Sequence, residues 1–463
     1  MSVQTASPPK VFPVITRVHG DRSFNLSFAD RRTLLVLVDA MLVLLSVWAA
    51  RLLWQQTAGR PFNDTEIEAS WFWYPIMLCG WWALAWLNDL YDIPSSDDRI
   101  SSIVRVVIIG LLILVMYLFA FFLAPRILPR LFFGYFLLVL LPAIILWRWA
   151  YATLASAPAF RRRVLVIGGE AAEQFIVSAL KRHTSQYQVV GYADLSDLLR
   201  QGRIHQIVVA TAHELDDGLV QLLIDCQAQG VRVLRMPDLY EKLYRRTPMQ
   251  HIENSWALDA VHGMPVFDTI PGAMRRLLDV VLGLAGLLVF IPVLLPVALA
   301  IRLNSPGPIF YRQTRCGRAG MPFSIIKFRT MRSDAEKDGQ ARWAEKDDPR
   351  ITRVGHILRK TRLDELPQVI NVLRGEMSVI GPRPERPEFI EELQQAIPFY
   401  RTRLLVKPGL TGWAQIHYSY GNTVEDALIK LQYDFYYLRH WSVWLDLYVI
   451  FRTFSTVLKF KGT

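Results

Sequence analysis

The chain predicts a membrane protein with four transmembrane helices, a small Rossmann-like α/β domain, and a C-terminal α/β domain carrying a re-entrant membrane helix. Three observations predict it. Of 463 residues, 52% are hydrophobic and mean hydropathy is +0.23, too apolar for an ordinary soluble protein. Apolar segments of spanning length give way to alternating short β-rich and helical runs. A fifth uncharged stretch, 280–301, contains Pro292 and Pro296 and is flanked by cations.

Residues 1–30 carry Pro8, Pro9 and Pro13 among polar residues ahead of any apolar run, unlike a cleaved signal peptide, and read as a cytoplasmic arm. Four apolar segments follow at about 33–53, 71–91, 103–124 and 131–150, giving a membrane domain over 31–152. Arg31 and Arg32 precede the first, and Arg161, Arg162 and Arg163 follow the last. The positive-inside rule then puts both ends on the cytoplasmic face. Asp64, Glu66 and Glu68 in the 54–70 loop fit the outer side, whereas Arg126 and Arg130 in the 125–130 turn run against it. Many of the 14 Trp stand near the ends of apolar runs, at headgroup depth.

From 161 to 262 the pattern is α/β: strands at 164–168, 187–192, 205–211 and 231–236, a helix to about Lys181, and another at 217–229. Such alternation predicts a small parallel sheet. Gly168-Gly169-Glu170-Ala171-Ala172-Glu173 lacks the G-x-G-x-x-G spacing and would set two acids against a pyrophosphate. A structural or regulatory domain is expected.

The last domain, 272–463, opens with the uncharged stretch. Arg275 and Arg276 precede it and Arg302, Arg312 and Arg315 follow, so both ends belong on the cytoplasmic side. A helix over about 276–302, bent near Pro292 and returning to its own face, meets that requirement. Trp441 to Lys461 mixes aromatic and apolar residues with Arg452, Lys459 and Lys461. It fits either a helix lying in the interface or an ordinary helix packed on the core. Residues 333–349, polar and alternately charged, read as a mobile loop.

The chemistry concentrates at 359–368, Arg-Lys-Thr-Arg-Leu-Asp-Glu-Leu-Pro-Gln. Asp364 and Glu365 follow Arg350, Arg353, Arg359, Lys360 and Arg362, with no acid among those cations. Pro367 is tolerated in a helix only in its first turn, so the spacing predicts a helix from about Asp364 to Arg374 with Asp364 at or near the N-cap. A helix's positive end favours ionised carboxylate and phosphate alike. One acid can then attack phosphorus to give an acyl phosphate while the other holds a divalent cation, with Mg²⁺ the hard, oxygen-seeking choice. The pair taken alone equally fits a capping acid, a first-turn acid and a solvated cationic face. Its surroundings add weight: 323–332 alternates like a strand ending in cations, and 379–384 is a Gly/Pro turn presenting Arg383.

Four segments, KFRTM (327–331), LDELPQ (363–368), NVLRGEMSVIGPRP (371–384) and KPGLTGWAQ (407–415), resemble in order the motifs of the bacterial sugar transferase family. These are monotopic phosphoglycosyl transferases, which move a sugar 1-phosphate from a nucleotide diphosphate sugar to a polyprenyl phosphate. The resemblance implies Asp364 as nucleophile, Glu365 as Mg²⁺ ligand and Arg359 as a phosphate contact. It places Lys327, Arg329 and Arg383 in the nucleotide and phosphate pocket, and a re-entrant helix in the membrane. The implied reaction joins a UDP-hexose, glucose favoured, to undecaprenyl phosphate through an aspartyl phosphosugar, releasing UMP. It would be the first membrane step of exopolysaccharide, capsule or O-antigen synthesis, on the cytoplasmic face of the bacterial inner membrane. Family members with this layout imply dimer contacts or regulation for the middle domain, and it and the spans offer surfaces for a homodimer.

A formal charge of +11 could serve nucleic acid, but the cations cluster beside apolar stretches and the dyad, which fits anionic lipid and substrate and no nucleic acid. Cys79, Cys226 and Cys316 form no pair or metal pattern, pointing to a reducing compartment and no structural metal. Two other functions compete. A membrane-tethered nucleotide-sugar dehydratase would need a dinucleotide fingerprint and a Tyr-x-x-x-Lys pair, neither of which the chain contains. A non-catalytic assembly scaffold would not need the dyad.

Overall fold

A computed structural model describes residues 28–58, 73–123, 130–155, 161–182, 187–190, 204–210, 216–252, 254–262, 270–332, 348–418, 421 and 423–458. Residues 1–27 of the expected arm, most of the 54–70 loop, 125–129 of the expected 125–130 turn and nearly all of the 333–349 loop lie outside these residues. The chain forms two compact units, Met1–Met236 and Pro237–Thr463.

In the first unit, three of the four expected spans are helices long and apolar enough to cross a bilayer, at Asp30–Thr57, Arg99–Leu118 and Phe132–Ala155. The second, expected at 71–91, is among the described residues a helix of 15 residues, Trp73–Leu87. It stops because the chain turns at Asp89, which takes a left-handed φ of 53°. Arginines satisfy the carbonyls this frees: Arg105 donates to Asn88 and Asp89 at 3.1 and 2.6 Å, and Arg148 to Leu90 at 3.1 Å. Arg148 also forms a fully buried ion pair with Asp39, 2.5 Å. Leu35, Val43, Trp81, Ile109, Phe136, Leu140 and Ile144 fill the bundle core. Leu37, Met41, Trp48, Val115, Leu138 and Leu146 face outward and are exposed.

The predicted sheet is present. Strands β1 (Arg162–Gly168), β2 (Tyr187–Val190), β3 (Gln206–Ala210) and β4 (Arg232–Arg235) are parallel in the order β2-β1-β3-β4. Helices Glu170–Lys181 and Asp217–Ala228 lie between strands. A Cβ on Gly168 would fall 2.1 Å from the carbonyl oxygen of Ala210, so this glycine serves strand packing. Glu170 and Glu173 are exposed in the helix's first turn.

The domain boundary expected at 262 falls instead near 236. Met249, Trp256 and Ala260 share a core with Phe389, Leu431 and Phe435. Arg439 pairs with Asp238 at 2.8 Å and Glu241 at 2.6 Å. Residues 237–262 therefore fold with the C-terminal domain, because their apolar face is covered there.

The long helix of the second unit runs from Ile270 to Asn304, through both prolines. One face packs: Phe290, Val297 and Ile301 meet Phe328, Leu358 and Val369. The other is bare, with Leu288 74%, Leu295 77% and Leu303 79% exposed. Both ends are tied to the same domain. Arg275 and Arg276 donate to the carbonyls of Ile380, Val372 and Leu373, and Asp279 accepts from the Ser378 hydroxyl and Val379 N–H, both 2.8 Å. At the far end, the side-chain oxygen of Asn304 accepts from Val354 N–H at 3.3 Å.

β5 (Phe310–Cys316) and β6 (Pro322–Phe328) form an antiparallel hairpin, and β7 (Ser378–Ile380) pairs in parallel with β8 (Gly409–Thr411). The strand expected over 323–332 thus stops at Phe328. Helix Val424–Arg439 starts on a capping box between Thr423 and Asp426. Helix Val443–Leu458 buries Asp446, Tyr448 and Val449 while Trp444 is 73% exposed, so it packs on the core yet keeps an apolar outer face.

Candidate active site

The dyad sits on a short bridge between two helices. Helix Arg353–Thr361, capped by the Thr352 hydroxyl accepting from Gly355 N–H at 3.0 Å, ends at Arg362, which adopts φ 60°. That left-handed residue reverses the chain. Leu363–Gln368 then winds as a 3₁₀ turn into helix Val369–Arg374. The single helix expected over 364–374 is therefore a 3₁₀ turn plus an α-helix. Arg362, with Asp364 two residues inside, holds the cap position expected near Asp364. Pro367 explains the tight turn: without an N–H it cannot donate to a carbonyl in the turn before it.

Glu365 is surrounded by cations. Its Oε1 accepts from Lys327 Nζ at 2.8 Å and from Arg383 Nη2 at 2.9 Å, and Oε2 faces Arg362 Nη1 at 3.8 Å. Burial alone would raise its pKa, but Lys327, Arg383 and Arg362 outweigh it and hold the carboxyl well below the usual range. Burial in turn pulls the Lys327 ammonium down against the Glu365 charge.

Asp364 is the opposite case. It is 8% exposed, and its Oδ1 is buried with no hydrogen-bond partner among the described residues. Burial pushes its pKa up to about 6, reinforced by Glu365 and opposed by Lys327, Arg359 and Arg362. Two adjacent carboxyls thus have their affinities for protons driven apart, a pattern of sites that divide acid, base or nucleophile roles.

Of the residues singled out in the sequence, Lys327, Arg383, Asp364 and Glu365 converge. Arg359 stands close enough to act on the Asp364 charge, its Nε donating to the Thr330 hydroxyl at 3.1 Å. Arg329 is elsewhere: it is 5% exposed and donates to the carbonyls of Pro306 and Ser305 at 2.6 and 2.7 Å, holding the chain that leaves the long helix. Sequence reasoning counts Arg362 only within the cation run before the dyad and gives no role to Gln415, whose Oε1 lies 3.5 Å from Arg383 Nη1. Arg362 is aimed by its left-handed backbone, which composition does not reveal; Gln415 closes a segment already noted for its motif.

The site's donors are hard oxygens: the unpartnered Oδ1 of Asp364 and the loosely engaged Oε2 of Glu365. No group of three His, Cys, Asp or Glu converges among the described residues. That set fits Mg²⁺, which takes one or two carboxylates and fills its octahedron with water and substrate phosphate.

Comparison with known proteins adds identity. The family model described as "Bacterial sugar transferase" matches residues 270–460. The chain is 37% identical over 322 residues to the UDP-glucose:undecaprenyl-phosphate glucose-1-phosphate transferase of Escherichia coli strain K12, covering 63% of this chain and 67% of that one. It is 30% identical over 475 aligned residues to the undecaprenyl-phosphate glucose phosphotransferase of Komagataeibacter xylinus, covering 94% and 87%. The UDP-N-acetylgalactosamine-undecaprenyl-phosphate N-acetylgalactosaminephosphotransferase of Aeromonas hydrophila is 38% identical over 238 residues, 51% of this chain but only 55% of its own length. The match over the domain that carries the dyad, with a relative aligned along nearly its whole length, establishes that the chain belongs to the bacterial sugar transferase family.

Proposed function

We propose that the protein transfers hexose 1-phosphate from a UDP-hexose to undecaprenyl phosphate, with Asp364 as the nucleophile. One observation carries the proposal: among the described residues Asp364 keeps a buried carboxylate oxygen unpartnered while three cations occupy its neighbour. Leaving such a group unsatisfied costs the fold on the order of 1–3 kcal/mol, a cost expected of a reacting atom. A carboxylate oxygen of Asp364 attacks the β-phosphorus of the donor. The bond from that phosphorus to the bridging oxygen breaks, UMP departs with the oxygen, and an aspartyl phosphohexose remains. An anionic oxygen of undecaprenyl phosphate then attacks the same phosphorus, the aspartyl ester bond breaks, and Asp364 regains its charge.

Lys327 and Arg383 fix Glu365 and present positive charge to the donor phosphates, and Arg359 and Arg362 extend the cationic rim. Mg²⁺, held through Glu365, supplies further neutralisation of phosphate charge when bound. Glucose is the proposed sugar, as in the names of the Escherichia and Komagataeibacter relatives. The product would start exopolysaccharide, capsule or O-antigen assembly at the inner membrane.

A re-entrant course for the long helix is part of this reading. A straight helix of 35 residues would extend about 52 Å, yet both its ends bond to one domain. Cations on both flanks support one cytoplasmic face for the two ends and for the dyad. The test is intact-protein mass spectrometry after incubation with UDP-glucose alone. The wild type gains a hexose phosphate and Asp364→Asn does not; an equal adduct on the variant would overturn the assignment.

A further inference from the structure

Arg383 reaches Glu365 from the segment Gly381-Pro382-Arg383-Pro384-Glu385, and that segment is poor in its own means of support. Pro382 and Pro384 contribute no N–H. Its carbonyls are met from outside instead. Pro382 accepts from Gly409 N–H at 2.8 Å and Glu385 from Cys316 N–H at 2.9 Å. The two between them are held by arginine side chains: Arg383 O by Arg403 Nη2 at 3.2 Å, and Pro384 O by Arg315 Nη1 at 3.2 Å.

Arg403 is itself held through both terminal nitrogens. It is 5% exposed; Nη2 also donates to Asp434 Oδ2 at 3.0 Å, Nη1 donates to the Tyr400 hydroxyl at 2.6 Å, and Glu385 Oε1 lies 3.6 Å away. Asp434 is 2% exposed on helix Val424–Arg439. The segment also borders a small cleft lined by Cys316, Pro382, Pro384, Arg403 and Val406.

We propose that Arg403, oriented by Asp434, is a positioning residue that sets where the Arg383 guanidinium stands at Glu365 and at the donor phosphate. The chain of contacts runs Asp434 carboxylate, Arg403 guanidinium, Arg383 carbonyl, Arg383 guanidinium, Glu365 carboxylate. The proposal rests on Arg383 acting at the reacting phosphate as described above. Outer partners that orient a functional group typically change rate by about 10- to 100-fold when removed.

The experiment measures the rate of adduct formation from saturating UDP-glucose in the full-length membrane protein for wild type, Arg383→Ala, Asp434→Asn and the double variant. Asp434→Asn is expected to slow the reaction at least about 10-fold, and to add little further in the Arg383→Ala background, because both act through one guanidinium. Slowing by the same factor in both backgrounds, or no slowing at all, overturns the positioning role and leaves the transferase reading intact. An Arg383→Ala protein that forms adduct at the wild-type rate removes Arg383 from the reaction and the proposal with it. Because Asp434→Asn strands a buried arginine, a paired variant, Arg403→Met with Asp434→Leu, keeps the site apolar and packed. A folded paired variant that reacts slowly supports the role; one that reacts at the wild-type rate overturns it.

Discussion

Replacing Asp364 by Asn should make the protein more stable while abolishing its chemistry, and the gain should depend on pH. The Asp364 carboxyl is raised from 3.8 to about 6 in the fold. A raised pKa means the folded state binds the proton more tightly than the unfolded chain. Stability from this group is complete below pH 3.8 and is lost as pH climbs through 6. A shift of some two units corresponds to about 3 kcal/mol lost at pH 7.5 and about 1 kcal/mol at pH 4.5. Asn, being neutral, escapes that loss. At roughly 2–4 °C per kcal/mol for a domain of this size, melting of Asp364→Asn should exceed wild type by about 6–12 °C at pH 7.5 and by about 2–4 °C at pH 4.5. Differential scanning fluorimetry in nanodiscs at both pH values reads the difference. Equal melting temperatures at pH 7.5, or a gain unchanged between the two pH values, would refute the claim that the ionised carboxylate is held at a cost.

Two further outcomes follow from packing. A Cβ on Gly412 would fall 2.1 Å from the carbonyl oxygen of Gly381, so Gly412→Ala should push the Arg383 segment outward, costing about 1–3 kcal/mol and slowing UMP release; unaltered melting and release would show that the segment yields freely. In the membrane bundle, Asp39→Leu leaves Arg148 buried without its acid and should cost about 3–5 kcal/mol, whereas Asp39→Leu combined with Arg148→Met should recover most of it. Detergent-resistance half-lives of the two proteins make the comparison, and equal loss in both would count against a pairing role.

Much of this molecule is legible from residue order because its strongest signals are local. Apolar length marks the spans, alternation marks the parallel sheet, and the cation run before Asp364 marks the site. What escaped reading depends on contacts between distant parts of the chain. The second span looked as long as the others, since its limit is set by Arg105 and Arg148 reaching in from later helices. Residues 237–262 looked like the end of the sheet domain, yet their apolar side is covered by helix Val424–Arg439 and its neighbours. Arg329 and Lys327 lie two positions apart in one motif, so alternation alone would put them on the same face. β6 ends at Phe328, between them, and Arg329 turns to Ser305 and Pro306 while Lys327 meets Glu365. Arg403 and Asp434 carry no motif at all; only the fold brings them to the carbonyl of Arg383.

On the re-entrant course proposed above, the Ile270–Asn304 helix, bonded near both termini to the domain that bears Asp364, would keep that domain from swinging away from the lipid like a tethered lid. Under the proposed reaction, the acceptor's reactive head need only rise from the leaflet to a fixed height, and its isoprene units past the first few would touch no protein. Carriers of quite different tail length should then be used with similar efficiency, with selectivity residing in the phosphate and the sugar.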